Sequence, residues 1–185
     1  MMKVVAISGA TRRPSKTSAL LQALLTASVP LGADVAFYDL LDVGLSFGAA
    51  VGRGDLQASA RHVLEAVEGA DGLVVGSPVY KGAYTGQFKH FFDLVDPTAL
   101  QGKPVSIAAT GGGHRHALVV EQSLRPLFGF FGALTIPTAV YAAESDFVGY
   151  EPNDVALLER ISRAGNEFRT ILAALTKPQD IRYAS

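Results

Sequence analysis

Residues 3–27 read KVVAISGATRRPSKTSALLQALLTA. The run Val4-Val5-Ala6-Ile7 is short, apolar and mostly β-branched, as a strand buried on both faces requires. The segment TSALLQALLTA (17–27) is amphipathic and reads as a helix. Between the two, residues 8–18 hold one glycine, one proline, three cations and several hydroxyl side chains. A buried strand that feeds a helix through a loop of this kind is the opening half of a β-α-β unit.

The rest of the chain repeats that unit. DVAFYDL (34–40) reads as a second strand, and DLQASARHVLEAVEGA (55–70) as a helix with Leu56, Ala60, Val63, Leu64 and Val67 on its apolar side. GLVVGSP (72–78) is a third strand, GQFKHFFDLV (86–95) a helix, and KPVSIAATGGG (103–113) a fourth strand that opens into glycines. ALVVEQSLRPLFGFFGA (117–133) is helical, with Pro126 expected to kink or divide it. TIPTAVYA (135–142) is a fifth strand, and DVALLERISRAGNEFRTILAAL (154–175) closes the domain as a helix. The glycine-rich stretch from Gly44 to Gly54 reads as an exposed connection. Such alternation predicts an α/β fold, a doubly wound parallel sheet with helices on both faces. The expected organisation is a single domain over residues 1–185, with 176–185 as a loose C-terminal tail.

Composition narrows the function classes. The 185 residues are 49% hydrophobic and 18% charged, which suits one domain with a full-sized core and argues against disorder. Lys and Arg number 16 against 17 Asp and Glu, so no basic field points to nucleic acid or an anionic membrane. There is no cysteine, hence no disulfide, thiolate metal site or Cys nucleophile. Together with an N-terminus that runs directly into a strand, this suits a cytoplasmic protein.

Ligands on open parallel sheets bind beyond the carboxyl ends of the strands. The loops after strands one, three and four, SGATRRPSKTS, SPVYKGAYTG and TGGGHRH, are therefore expected to build one site. The first suits a phosphate. A helix N-terminus presents free N–H groups and partial positive charge. Ser15, Thr17 and Ser18 add hydroxyls, while Arg12, Arg13 and Lys16 add charge. Its plainer reading is an N-cap with solvated cations. Neither G-x-G-x-x-G nor a Walker A lysine motif is present, which favours a single terminal phosphate over a pyrophosphate. In the second loop, Pro78 stiffens the chain and Tyr80 offers a ring; a tight turn with a packed tyrosine is the alternative. In the third, Thr110-Gly111-Gly112-Gly113 lets backbone approach a flat ligand closely, or simply makes a flexible turn. Taken together, the three loops point to a planar ligand with a phosphate tail, for which FMN is the obvious candidate.

Other chemistries fit poorly. His114 and His116 lack further ligands at zinc spacing, and no G-x-S-x-G elbow is present. Glu144 and Asp146 follow the fifth strand and read as a solvated acidic turn.

These residues resemble the NAD(P)H-dependent FMN reductases of the flavodoxin-like superfamily. The similarity is greatest to the alkanesulfonate and methanesulfonate group, the reductase halves of two-component monooxygenases. AISGATRRPSKTSALLQALL, GSPVYKGAYTGQFKHFFDLV, ALQGKPVSIAATGGGHRHALVVEQSLRPLF and AVYAAESDF carry the resemblance, colinear over most of residues 3–147. It implies a flavodoxin-like five-stranded parallel sheet in the order 2-1-3-4-5, with FMN phosphate on the first loop. It also implies that the isoalloxazine ring lies against Pro78 to Lys81 and Thr110 to Gly113. The cofactor-binding set so implied is Ser8, Thr11, Arg12, Ser15, Thr17, Ser18, Pro78, Val79, Tyr80, Lys81, Thr110, Gly111, Gly112, Gly113 and His116. The resemblance further implies NADPH or NADH as co-substrate, a homo-oligomer (dimer or tetramer), and a flavin-dependent monooxygenase partner. Members of this group often carry an extra residue in the fourth helix, usually Tyr or His, that makes a π-bulge. Gln122 stands at that place here.

The implied reaction is hydride transfer from NAD(P)H to FMN, for which the cofactor supplies the reactivity. No side chain need act as acid or base; Lys81, Arg115 and His116 are candidates to orient flavin or nicotinamide. Two rivals stay open at this point: an FMN-holding quinone or azo reductase, and a flavodoxin-like electron carrier. Carriers are usually strongly acidic, and this chain is not.

Overall fold

The computed structural model of the chain describes residues 1–176. In chain order come β1 (Lys3–Ser8), α1 (Lys16–Ser28), β2 (Asp34–Asp39), the one-turn α2 (Leu40–Val43) and α3 (Ala58–Glu68). They are followed by β3 (Gly72–Tyr80), β4 (Ala83–Tyr84), α4 (Gly86–Asp93) and β5 (Pro104–Gly111). A π-helical segment, Val120–Leu124, then runs into α5 (Arg125–Phe130). The chain continues through β6 (Leu134–Thr135), β7 (Val140–Ala143), a small β8 (Phe147–Val148)–β9 (Glu151–Pro152) hairpin and α6 (Val155–Thr176).

The sheet runs β2-β1-β3-β5 and then β6, all parallel, with β7 also parallel to β5. The expected order is thus present, but in seven strands rather than five. β4 adds a two-residue antiparallel extension to the end of β3. The fifth strand, expected unbroken over 135–142, is split. Pro137 carries no N–H for the ladder, and side chains hold the intervening backbone. Arg125 donates to the carbonyls of Ile136 (3.0 Å) and Pro137 (3.2 Å), Arg160 donates to that of Ala139 (2.6 Å), and Glu167 accepts from the Thr138 amide (2.8 Å).

Period-two alternation in the strands divides the core between the two faces. Val4 and Ala6 of β1 pack under α1 and α6, with Leu20, Leu21, Leu24, Ile161, Phe168 and Leu172. Val5 and Ile7 face α2 to α5 on the other side, with Val63, Phe88, Phe92, Leu124 and Phe128. An aromatic chain binds α4 to α5, with Phe88–Phe92 and Phe92–Phe128 ring centroids each 4.9 Å apart.

Two expectations change. The Gly44–Gly54 connection is not simply exposed. It contains a 3-10 turn, Leu45–Ala49, that buries Phe47 and Ala50. His90 stacks on Phe47 and its Nε2 lies 3.0 Å from the Phe47 carbonyl oxygen. A single aromatic among glycines gives no periodic signal, yet it fills the space beside α4. Pro126 does not break its helix either. It sits in the first turn of α5, and the preceding π turn, closed by Arg125 N–H to the Val120 carbonyl, accommodates its missing N–H and keeps the two segments continuous. Of the tail expected at 176–185, Thr176 closes α6 and the remainder lies outside the described residues.

Candidate functional site

The carboxyl ends of β1, β3, β5 and β7 converge on one edge of the sheet, and a cleft opens there. Thr11, Arg12, Pro14, Ser15, Lys16 and Thr17 form one wall, Pro78, Val79 and Tyr80 a second, and Thr110, Gly111 and Gly112 a third. Glu144, Phe147 and Tyr150, together with Ala10, complete the lining.

The first loop is anchored before any ligand arrives. Gly9 N–H donates to the Gly76 carbonyl at 2.7 Å, tying the loop's start to β3. Arg13 donates to both carboxylate oxygens of the buried Asp39 (2.6 and 2.8 Å) and to Asp42 (2.6 Å). These bonds raise the guanidinium pKa further, so Arg13 stays cationic. Burial pushes the Asp42 carboxyl up, but the hydrogen bonds from Arg13 and the Asp39 backbone outweigh it and hold it below its usual value. Arg13 is therefore committed to the protein and not to a ligand. Ser15 is the N-cap of α1, its hydroxyl accepting from Ser18 N–H at 3.3 Å. Thr17 is buried and its hydroxyl lies 2.6 Å from that of Thr110, which ties the first loop to the third. Ser18 and Ser8 hydroxyls pair at 3.0 Å beneath the loop.

The second loop is the end of β3, which continues two residues beyond the expected strand to Tyr80. Lys81 (φ 54°) and Gly82 (φ 86°) turn the chain through two successive left-handed residues into β4. This geometry matches the right-handed twist of a hairpin. Ser77 stabilises the return, donating to the Pro78 carbonyl and accepting from Thr85 N–H at 3.1 Å.

Across the mouth, Lys16 Nζ donates to Glu144 Oε1 at 2.6 Å and lies 5.5 Å from the centre of the Phe147 ring. This hydrogen bond holds the Glu144 carboxyl below its usual value. Asp146 is not the solvated residue expected: it is buried, and its carboxylate accepts from Ala143 N–H at 2.8 Å, fixing the turn after β7.

Of the residues singled out from sequence, Thr11, Arg12, Ser15, Thr17, Pro78, Val79, Tyr80, Thr110, Gly111 and Gly112 line the cleft. Ser8 lies fully buried below it. Ser18 faces a neighbouring hollow beside Arg13 and Phe37. Lys81, Gly113, Arg115 and His116 stand outside the lining, and Arg115 Nε donates to His116 Nε2 at 3.1 Å. Glu144, Phe147 and Tyr150 were missed as lining residues. The signal was available: two aromatics in SDFVGY follow the fifth strand at the same sheet edge.

The cleft suits FMN. It offers a capped helix N-terminus with cations at one end and backbone without side chains at the other; a Cβ placed on Gly112 would meet nothing but open space. Its volume, about 210 Å³, is below the ~300–1,000 Å³ of enclosed ligand pockets, so a flavin would lie on it rather than in it. Gln122 falls inside the π-helical segment, so the extra turn is present although Tyr or His is not.

The NADPH-dependent FMN reductase family model matches residues 2–147. An NADH-dependent FMN reductase, SfnF, from Pseudomonas fluorescens is 46% identical, the match covering 96% of this chain and 95% of that protein. An FMN reductase (NADPH) from Pseudomonas aeruginosa is 48% identical over 88% of each. An oxidoreductase from Corynebacterium diphtheriae, 34% identical, superposes with a TM-score of 0.80 over 94% of this chain and 98% of its own, which makes the fold flavodoxin-like. Its cleft, its sheet order and these relatives agree: the chain belongs to the NADPH-dependent FMN reductase family.

Proposed function

We propose that this chain, an NAD(P)H-dependent FMN reductase by family, treats FMN as an exchangeable substrate and delivers reduced FMN to a flavin-dependent monooxygenase of the sulfonate type. The observation that carries the reading is the openness of the cleft. Among the described residues, the mouth is crossed by the Lys16–Glu144 pair, whose carboxylate side chain is 69% exposed, and the cleft holds about 210 Å³. A site of this kind suits micromolar affinity, roughly −8 kcal/mol, at which oxidised and reduced flavin both leave between turnovers.

In this reading the phosphate is held by the α1 N-terminus, Ser15, Thr17, Thr11 and Arg12. The ring lies between Pro78–Tyr80 and Thr110–Gly112. Bound FMN supplies the hydride acceptor, and NADH or NADPH the donor. The chain's own part is to orient, to exclude water from one ring face, and to offer backbone N–H groups where negative charge develops. Lys81, Arg115 and His116, at the rim, orient the nicotinamide. The protein is cytoplasmic and acts as a homo-oligomer. The support for a second copy is an apolar groove beside the π segment, lined by Tyr84, Phe92, Leu127 and Phe130, with Lys89 and Asp93 side by side on its rim. A two-fold arrangement would bring such mixed-sign rims together in a self-complementary way.

Stopped-flow mixing with NADH or NADPH, with and without added FMN, tests the reading. Purified protein should be nearly colourless, and its turnover should saturate in free FMN. A yellow protein that keeps stoichiometric FMN through dialysis and turns over without added flavin would overturn it in favour of an FMN-holding quinone or azo reductase.

A further inference from the structure

The loop that meets the ring is held from behind by the neighbouring strand. Tyr141 lies on β7 opposite Ala109 of β5, two residues before the strand ends. Its side chain passes under the end of β5, and its hydroxyl donates to the Gly113 carbonyl at 2.6 Å. The same hydroxyl occupies the space that a side chain at Gly111 would need: a Cβ there would overlap the oxygen and would come within 3.3 Å of Cζ. A second tether runs from the same loop to the same strand's exit, where His114 Nε2 stands 3.4 Å from Asp146 Oδ1. The far side of the loop, at Gly112, is the side that lines the cleft.

We infer that Tyr141 is a positioning residue for the flavin ring: its hydroxyl sets how far the 111–113 loop projects into the cleft, and Gly111 is glycine because that hydroxyl lies against it. The inference rests on the reading that this loop carries the ring. Tyr141 touches neither flavin nor nicotinamide; it acts through the Gly113 carbonyl. Burial and the nearby Asp146 carboxylate both raise the phenol pKa, against a smaller opposing effect of Arg115, so the hydroxyl keeps its proton and remains a donor across the working pH range. Because the loop meets the ring and not the phosphate, loss of the hydroxyl should weaken FMN and riboflavin alike. Because backbone N–H groups stabilise charge that grows on reduction, it should weaken reduced flavin more than oxidised.

The test is Tyr141→Phe, which keeps the ring packing and deletes one oxygen. Flavin fluorescence quenching should show FMN and riboflavin affinities falling by a common factor of about 5. Reduced FMN should fall about threefold further, which lowers the midpoint potential of bound flavin by about 14 mV for a two-electron couple. Gly111→Ala should be poorly folded or strongly heat-sensitive. Adding Tyr141→Phe to it should recover more than half of the lost Tm, because the overlapping atom is gone. Wild-type riboflavin affinity and potential in Tyr141→Phe would overturn the inference, as would Gly111→Ala and Tyr141→Phe effects on Tm that merely add. A Tyr141→Phe protein with lower Tm but unchanged flavin affinity and potential would reduce Tyr141 to a packing residue. If the wild-type protein bound neither FMN nor riboflavin, the flavin reading itself would fail, and this result is separate from all of the others.

Discussion

The hydroxyls of Thr17 and Thr110 lie 2.6 Å apart in a site where the two residues are only 3% and 7% exposed. One belongs to the first turn of α1 and the other to the end of β5, 93 residues later. A hydroxyl can accept one bond while donating another. If Thr110 donates, the Thr17 proton is left for a phosphate at the helix N-terminus.

Thr17→Val keeps the shape and removes that hydroxyl. It leaves Thr110 without its buried partner, at a cost of about 1–3 kcal/mol in stability. It also removes a donor to a charged group, so FMN affinity should fall at least tenfold while riboflavin affinity stays within about twofold. Urea unfolding and paired flavin titrations check both halves; equal losses for FMN and riboflavin would refute the phosphate assignment.

Lys16 is held by Glu144 across the mouth of the cleft; a phosphate bound at the α1 N-terminus, as proposed, would compete with that carboxylate for the Lys16 ammonium. Glu144→Gln should tighten FMN about threefold, leave riboflavin unchanged, and steepen the salt dependence of FMN binding, because it uncovers the Lys16 charge. Lys16→Met should do the reverse. Titrations at low and high ionic strength read this directly.

The anchoring of the first loop predicts an acid limb. The folded-state pKa of Asp42 lies below its unfolded value, so its contribution is complete above about pH 4 and fades as pH falls through the folded pKa. The side chain is 35% exposed and the Arg13 side chain 56%, so screening keeps the effect to about 0.5 kcal/mol. Asp42→Asn should flatten the decline of stability below pH 4, measured by denaturant midpoints across that range.

Phe92 meets Phe88 and Phe128 at 4.9 Å each and is almost fully buried. Phe92→Ala should cost about 3–5 kcal/mol, a loss large enough to leave a domain of ordinary stability barely folded. Phe92→Leu should recover most of it. Thermal unfolding of the two variants distinguishes a packing loss from a site effect, because flavin affinity of the folded fraction should not change.

Local pattern was enough to read every long element. The apolar run at Val4–Ile7, the amphipathic helix after it and the glycine-bearing loop between them belong to one short window, and a buried parallel strand or a surface helix leaves its period in such a window whatever else the chain does. The convergence of three loops on one edge followed from the alternation of those elements, and the sheet order from the family resemblance. What escaped depended on partners far away in sequence. The break between β6 and β7 is held by Arg125, Arg160 and Glu167, and the burial of Phe47 by His90; Asp146 is the local exception, its carboxylate closing a turn on Ala143 N–H.

The division at the site itself has the same origin. The sequence by itself determined an α/β sheet and a cleft with hydroxyls and cations at one end and glycines at the other, and its resemblance to a known family supplied the strand order. Only the tertiary structure decided which of those groups are free. Arg13 is taken by Asp39 and Asp42, Lys16 by Glu144 and Ser18 by Ser8, whereas Tyr141 and Phe147 arrive from β7 and β8 to support and line the cleft. Hydrogen bonds and ion pairs act over about 3 Å between atoms that the chain brings together from 10 to 128 residues apart. Residue type records the capacity to make such a bond, and only the folded arrangement assigns the partner.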